Sequence, residues 1–192
     1  MPASKLLSHI KNLTQLSQED EKMITGVLVP QTIRKRQFLL HEHQIAKVAA
    51  FVITGCLRSY SIDRNGFEHI LQFAPENWWI TDMFSFISGK ESYLNVDALV
   101  DTEVLILSRE DQQELCGKIP QLEHYFRVIT EKALVSTQQR LMDNLSTTAR
   151  QRYEKFCGTY PGLINTLPQK LIASYIGITP EFLSKIRGEA LK

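Results

Sequence analysis

The sequence has few cysteines, no long apolar run and almost no net charge. Its three cysteines, Cys56, Cys116 and Cys157, are odd in number and lie 60 and 41 positions apart. That spacing excludes a disulfide framework and a C-x2-C metal knuckle, and an iron–sulfur centre needs clustered thiolates that are absent. Each cysteine reads as a small core residue. The longest apolar run, residues 48–53, falls far short of the ~20 residues that cross a bilayer. Residues 1–13 lack an apolar segment before a small-residue cleavage site. The expectation is a soluble, cytoplasmic chain with no membrane partner. No Ser/His/Asp signature and no Gly-rich phosphate loop occurs, so nothing positive supports an enzyme, and no cofactor is expected.

What is present is ordinary globular composition: 192 residues, 43% apolar and 9% aromatic, enough for a core and too apolar for a disordered chain. The length suits one large or two small domains. The net charge of +1 hides an asymmetry. Residues 1–146 carry 15 basic and 18 acidic side chains, whereas residues 147–192 carry 7 and 3. The last quarter is the electropositive part, a pointer to a polyanion.

Leu6, Leu7, Ile10 and Leu13 recur at helical spacing, and Ser17-Gln18-Glu19-Asp20 has the pattern of a helix start. From Thr32 to Leu107 the period changes. Short segments rich in Val, Ile, Phe, Leu and Tyr, at residues 37–40, 48–54, 57–62, 67–73, 96–100 and 104–107, read as strands. Asn65-Gly66 between two of them predicts a hairpin, since both residues tolerate positive φ. Many short strands between turns point to a β-barrel or jelly roll. Ser108 opens another helix. After Pro120 no Gly or Pro occurs until Gly158, and Leu122, Tyr125, Phe126, Ile129, Ala133, Leu134, Thr137, Leu141 and Leu145 fall mainly at three- and four-residue steps. A helix of roughly 25 residues would be ~37 Å long. It either lies along the β block or meets its twin in a two-fold dimer through Leu122, Phe126, Ile129, Ala133 and Leu141; the dimer is the favoured reading.

Residues 169–188 carry the most specific motif. A helix-turn-helix needs a small residue where its helices touch and a Gly four positions on for the sharp turn. Ala173 and Gly177 have that spacing, and Ile172, Ile176, Ile178, Leu183 and Ile186 would fasten the pair. Thr179-Pro180-Glu181 restarts a helix, with Thr as N-cap, Pro in the first turn and Glu near the positive dipole end. The alternative is a structural αα-corner. Against it, the second helix displays Thr179, Glu181, Ser184, Lys185 and Arg187, types that bond base edges or phosphates. Gln169 and Lys170, opening the first helix, complete the candidate DNA-binding set.

This order of parts resembles the Crp/Fnr transcriptional regulators over about residues 13–191. The resemblance rests on Phe51-Val52-Ile53-Thr54-Gly55-Cys56-Leu57-Arg58, the Asn65-Gly66 hairpin, Asp101-Thr102-Glu103-Val104-Leu105-Ile106-Leu107-Ser108 and the helix-turn-helix. It implies an α+β fold in three parts: a jelly-roll, cyclic nucleotide-binding-like sensor with N-terminal helices over residues 1–117, a long dimerisation helix over 118–146, and a winged helix-turn-helix over 147–192. Residues 160–166 are the only stretch able to supply the β wing. The implied function is a homodimeric regulator that binds a near-palindromic operator in double-stranded DNA. A small-molecule effector and RNA polymerase are further candidate partners. By position Thr179, Glu181 and Lys185 match the family's base- and phosphate-reaching sites. Pro180 departs from the pattern: many members have Arg there, which implies a different operator.

Cyclic-nucleotide-binding members grip the phosphate with a Gly-Glu turn and an Arg-Ser or Arg-Thr pair about ten residues on. Laying Gly89 on the family's Gly puts Thr81-Asp82 and Ser92-Tyr93 at those places. Asp82 could still meet a ribose, but nothing replaces the Arg, and a buried phosphate without a cation is expensive. Cyclic AMP is therefore not expected to bind in the usual way. Trp78, Phe84 and Tyr93, with Asp82 and Ser92, are the candidate effector pocket; the aromatics are either core or the lining for an apolar ligand.

Two rival classes remain. His41 and His43, sharing one face of a strand, and His69 on another, could serve a metal-dependent cupin-like enzyme, although the Glu that such a pattern needs after the pair is missing. A non-DNA-binding scaffold with a degenerate helical tail is the other.

Overall fold

The structure, a computed structural model, describes residues 3–190. Residues 1, 2, 191 and 192, which end the expected first and last segments, lie outside the described residues.

Among the described residues eight short strands build the β block: β1 (Val29–Ile33), β2 (Phe38–Leu40), β3 (Val48–Thr54), β4 (Leu57–Ile62), β5 (Glu68–Ala74), β6 (Trp79–Ile80), β7 (Asn95–Ala98) and β8 (Thr102–Ser108). They pair antiparallel into two four-stranded sheets, ordered β1-β8-β3-β6 and β2-β7-β4-β5, the jelly-roll arrangement. Ile33, Val52, Ile80 and Val104 of one sheet interlock with Leu40, Leu57, Ala74 and Val96 of the other.

Helices cover the outer face of the first sheet: α1 (Ala3–Lys11), α2 (Gln18–Val27), α4 (Arg109–Lys118) and the long α5 (Pro120–Ser146), with the short α3 (Met83–Ser88) inserted before β7. Phe51, Ile53, Leu105 and Leu107 pack there against Leu6, Ile10, Ile24, Leu115, Leu122 and Tyr125. Cover on both faces explains the unbroken apolar run in β3. Ala50 and Val52 point between the sheets, Phe51 and Ile53 point at the helices, and all four are buried, so alternation has no solvent side to report.

The expected helix starts are present. Ser17 accepts from the Asp20 amide at 3.1 Å while the Asp20 carboxylate accepts from the Ser17 amide at 2.7 Å, a reciprocal capping box. Ser108 accepts from the Asp111 amide at 3.0 Å. The β4–β5 hairpin forms too, but by a different turn. Only Gly66 takes positive φ, at 81°. Asp63 does the rest: its carboxylate accepts from the amides of Asn65 at 2.8 Å and Phe67 at 3.0 Å, an Asx-type closure.

Beyond α5 the chain kinks at Thr147 and Thr148 and continues as α6 (Ala149–Thr159), α7 (Gln169–Ile176) and α8 (Pro180–Ala190). The break has a local cause: Thr148 and Gln151 form a second capping box, which starts a new helix. Residues 160–166 are turns rather than strands. The helix-turn-helix therefore stands without a β wing among the described residues, correcting the winged expectation. Tyr160 is buried and committed to an aromatic cluster, so this stretch cannot lift off as a hairpin.

That cluster covers the outer face of the second sheet. Tyr60, Ile70 and Phe73 of the roll meet Phe156, Tyr160, Leu171 and Tyr175. The Ser174 hydroxyl accepts from the Ile70 amide at 3.0 Å and donates to the Glu68 carbonyl at 2.7 Å.

Candidate nucleic-acid interface

Helix α7 buries Leu171, Ile172, Ala173 and Ile176; α8 buries Leu183 and Ile186. Ala173 has no exposed surface where the helices meet, and Gly177 turns the chain at φ 71°, its amide bonding the Ala173 carbonyl. An L-residue there would be strained. Thr179 caps α8 by accepting from the Phe182 amide at 3.3 Å. With the apolar stripe inward, Thr179, Glu181, Ser184 and Lys185 are exposed, Arg187 is half-buried, and Gln169 and Lys170 are exposed on the first turn of α7. The side chains of Glu181, Ser184 and Lys185 bond to no described residue. The surface thus offers the cation of Lys185, the carboxylate of Glu181 and the hydroxyl of Ser184, none bonded to a described residue.

The α3 turn is organised in the opposite way. Asp82, 3% exposed, N-caps α3 by accepting from the amides of Phe84 at 2.9 Å and Ser85 at 3.4 Å. Its other oxygen takes the hydroxyl of fully buried Ser92 at 2.6 Å. The Ser85 hydroxyl accepts from the Ala46 amide at 2.8 Å and donates to the Lys90 carbonyl at 2.6 Å. Of the five candidate pocket residues, Asp82, Phe84, Ser92 and Tyr93 lie together at this turn, and Trp78 does not join them. Phe84 and Tyr93 touch each other on the surface, ring centres 5.4 Å apart, and Trp78 packs against Tyr160, 5.6 Å away. The cavity at this end of the roll, about 180 Å³, is lined by Leu39, Ile45, Lys47, Val48, Thr81 and Val96 among others and by none of the five. It is smaller than the ~300 Å³ at which ligand pockets begin.

The profile of the cyclic nucleotide-binding domain matches residues 30–118. This stretch is similar to that family. Comparison with curated proteins gave no match. Among solved structures, the chain is similar to FixK2 from Bradyrhizobium japonicum, with 22% identity and a TM-score of 0.74 over 85% of this chain and 84% of that one. It is similar to the c-di-GMP responsive global regulator CLP from Xanthomonas campestris, with 13% identity and a TM-score of 0.72 over 91% and 92%. A third match is a proposed transcriptional regulator of the Crp/Fnr family from Eubacterium rectale, with 15% identity and a TM-score of 0.69 over 89% and 82%. The fold is that of the Crp/Fnr regulators.

The matched stretch brings no free guanidinium to the α3 turn, where Arg109 is held by the Phe86 carbonyl and the exposed cation is Lys90. Among the described residues its one buried guanidinium is Arg58. That group is bound to Asp97 at 2.7 and 2.9 Å and to Glu68 at 2.6 Å. Burial opposes its charge, but those hydrogen bonds outweigh burial and hold its pKa above the ordinary value. Beside it the Tyr60 phenol, buried and facing Asp97, is pushed up to about 12. Cys56 is buried, its thiol pushed up to about 12 by desolvation, while Cys116 and Cys157 are partly buried, none near another.

The histidine reading is corrected. His41 and His43 lie in the turn after β2 rather than on one strand face. His41 stacks on Phe38 at 3.9 Å, and His43, at φ 67°, faces Glu91 at 3.7 Å. His69 sits at the far hairpin, 2.9 Å from Asp63, and its hydrogen bond holds that carboxyl below the usual range. No three His, Cys, Asp or Glu among the described residues converge on a metal position, so the cupin-like alternative is not supported.

Helix α5 divides into two halves. Leu122 is buried in the chain's own core, and Phe126 and Ile129 lean on the same cluster, so these three face their own roll. Ala133 and Leu141 are exposed. The exposed apolar stripe comprises Leu134, Val135, Leu141, Met142 and Leu145, at 55–75% exposure. Val135 and Met142 lie one heptad apart, a spacing readable in the sequence but outranked there by the Leu series. Phe182, exposed on α8, was equally legible as an apolar residue off the Leu183/Ile186 stripe.

Proposed function

We propose that the protein is a sequence-specific DNA-binding transcription regulator that acts as a homodimer. Its working units are the sensor (residues 1–117), the dimer helix (118–146) and the DNA-binding segment (147–192). The observation that carries the reading is the outer face of α8, where Glu181, Ser184 and Lys185 are exposed and unbonded to described residues beyond the Gly177 turn. Laid in the major groove, such a face presents Lys185 to guanine or phosphate and Glu181 to cytosine, while Thr179, Lys170 and Arg187 hold the backbone. The exposed stripe from Leu134 to Leu145 suits a second copy, burying side chains that a lone helix leaves in water. Two-fold symmetry would then set the α8 helices about one DNA turn apart, ~34 Å, and require a near-palindromic site.

The sensor half supports a regulator whose effector is not a cyclic nucleotide held in the usual manner. Asp82 and Ser92 bond each other, and Arg58 is engaged by Asp97 and Glu68. Selection of bound sequences from random duplex DNA tests the reading. A near-palindromic consensus bound by a dimer is expected. No enrichment, or a strictly monomeric particle, would overturn it. Calorimetric titration with cyclic AMP should give no saturable heat.

A further inference from the structure

Leu183 and Ile186 are buried and fix how α8 presents itself. One step back from Leu183 stands Phe182, 48% exposed. At 3.6 residues per turn it lies about 100° round from Leu183 and on the same side as Lys185, three residues on. Its ring makes no contact with an aromatic group among the described residues, and its amide is tied to Thr179. An apolar ring thus sits on the flank of a surface otherwise made of Thr179, Glu181, Ser184 and Lys185.

A base edge in the major groove offers such a ring only one apolar group, the thymine C5-methyl. Small residues help it get there: Ser184 and Gly188 lie on the exposed side of α8 and let the helix approach closely. Pro180 supplies no competing hydrogen-bond donor from the first turn. We propose that Phe182 packs on a thymine methyl and is a specificity-determining residue. The proposal rests on the reading of α8 as the groove-entering helix.

The test removes the methyl and nothing else. After the operator is selected with the full chain, each thymine of a half-site is replaced in turn by deoxyuridine, and affinity is measured by fluorescence anisotropy. At one or two positions wild type should lose about fourfold, the partition value of one CH2 group, and about fifteenfold when both half-sites are changed. Phe182→Ala should bind the thymine and deoxyuridine duplexes equally, and Phe182→Leu should keep a reduced difference. Indifference of wild type to every deoxyuridine overturns the inference, as does a full penalty retained by Phe182→Ala or a half-site that demands no thymine. Failure to enrich any sequence would overturn the reading of α8 itself.

Discussion

The α3 turn and the outer face of α8 carry similar chemistry, a carboxylate, hydroxyls and aromatic rings on short helical segments, yet they differ in where their hydrogen bonds go. At α3 the carboxylate of Asp82 is buried and saturated by two amides and the Ser92 hydroxyl. On α8 Glu181, Ser184 and Lys185 face water with no described partner. Residue type alone does not separate a structural polar cluster from a recognition surface. Internal satisfaction does, because a group already bonded in a low-dielectric site gains little from a ligand and loses much when disturbed.

The largest effect should come from breaking the satisfied side. Asp82→Ala strands one hydroxyl and two amides, and should lower unfolding stability by about 2–4 kcal/mol, each orphaned group costing about 1 kcal/mol or more. Urea denaturation reads it, while operator affinity well below the midpoint should be unaffected. Lys185→Ala sharpens the other side. Operator affinity should fall about ten- to hundredfold, with stability changed by no more than about 0.5 kcal/mol. A variant that moved both quantities equally would erase the distinction. Ser174→Ala, between the two regions, should cost about 1–2 kcal/mol through the unpaired Ile70 amide and is read by the same denaturation. The smallest effect is one of pH. Burial and the nearby Lys132 lower the pKa of His9 from 6.5, and its Nδ1 lies 2.9 Å from the Tyr125 hydroxyl, which also accepts from Trp79 at 2.8 Å. The unfolded chain takes up this proton more readily than the folded one. The stability contribution is therefore whole above pH 6.5 and declines as pH falls below it. Denaturation at pH 7.5 and 5.5 should show a smaller difference for His9→Gln than for wild type.

Much of the fold was legible because its signals are local. Residues 48–54 and 57–62 are strands within the bounds read from apolar content, and Ser17 and Ser108 begin helices where their spacing says. What was missed lacked a local signal. β1 is an edge strand with a Pro and four exposed residues, and β6 is two residues long; neither has the apolar density of a central strand. Helix α3 hides in Met83-Phe84-Ser85-Phe86-Ile87-Ser88, whose aromatics suggested a pocket, although its boundaries are marked by the Asp82 cap and by Gly89 at φ 68°. In α5 the period was plain, but a three- and four-residue step says only that a face is apolar. Whether it meets its own roll, as Leu122 does, or lies open, as Leu141 does, depends on how far the β block extends along the helix. The α8 surface was read residue by residue because burying Leu183 and Ile186 leaves Glu181, Ser184 and Lys185 no other side; Phe182, apolar yet 48% exposed, fits neither set.

Strand β5 ends its sheet, so one row of its backbone groups has no neighbouring strand. The Ser174 hydroxyl answers two of them, and the Arg140 guanidinium reaches the Ile70 carbonyl at 3.3 Å. Side chains from the helical half thus act as a surrogate ninth strand, shielding a border along which separate copies could otherwise stack. A fragment ending before α6 would bare both that border and the Phe73 ring. Severing the helices from the roll is thus a route to self-association, and the two halves are better regarded as each other's solubilising cover than as independent modules on a string.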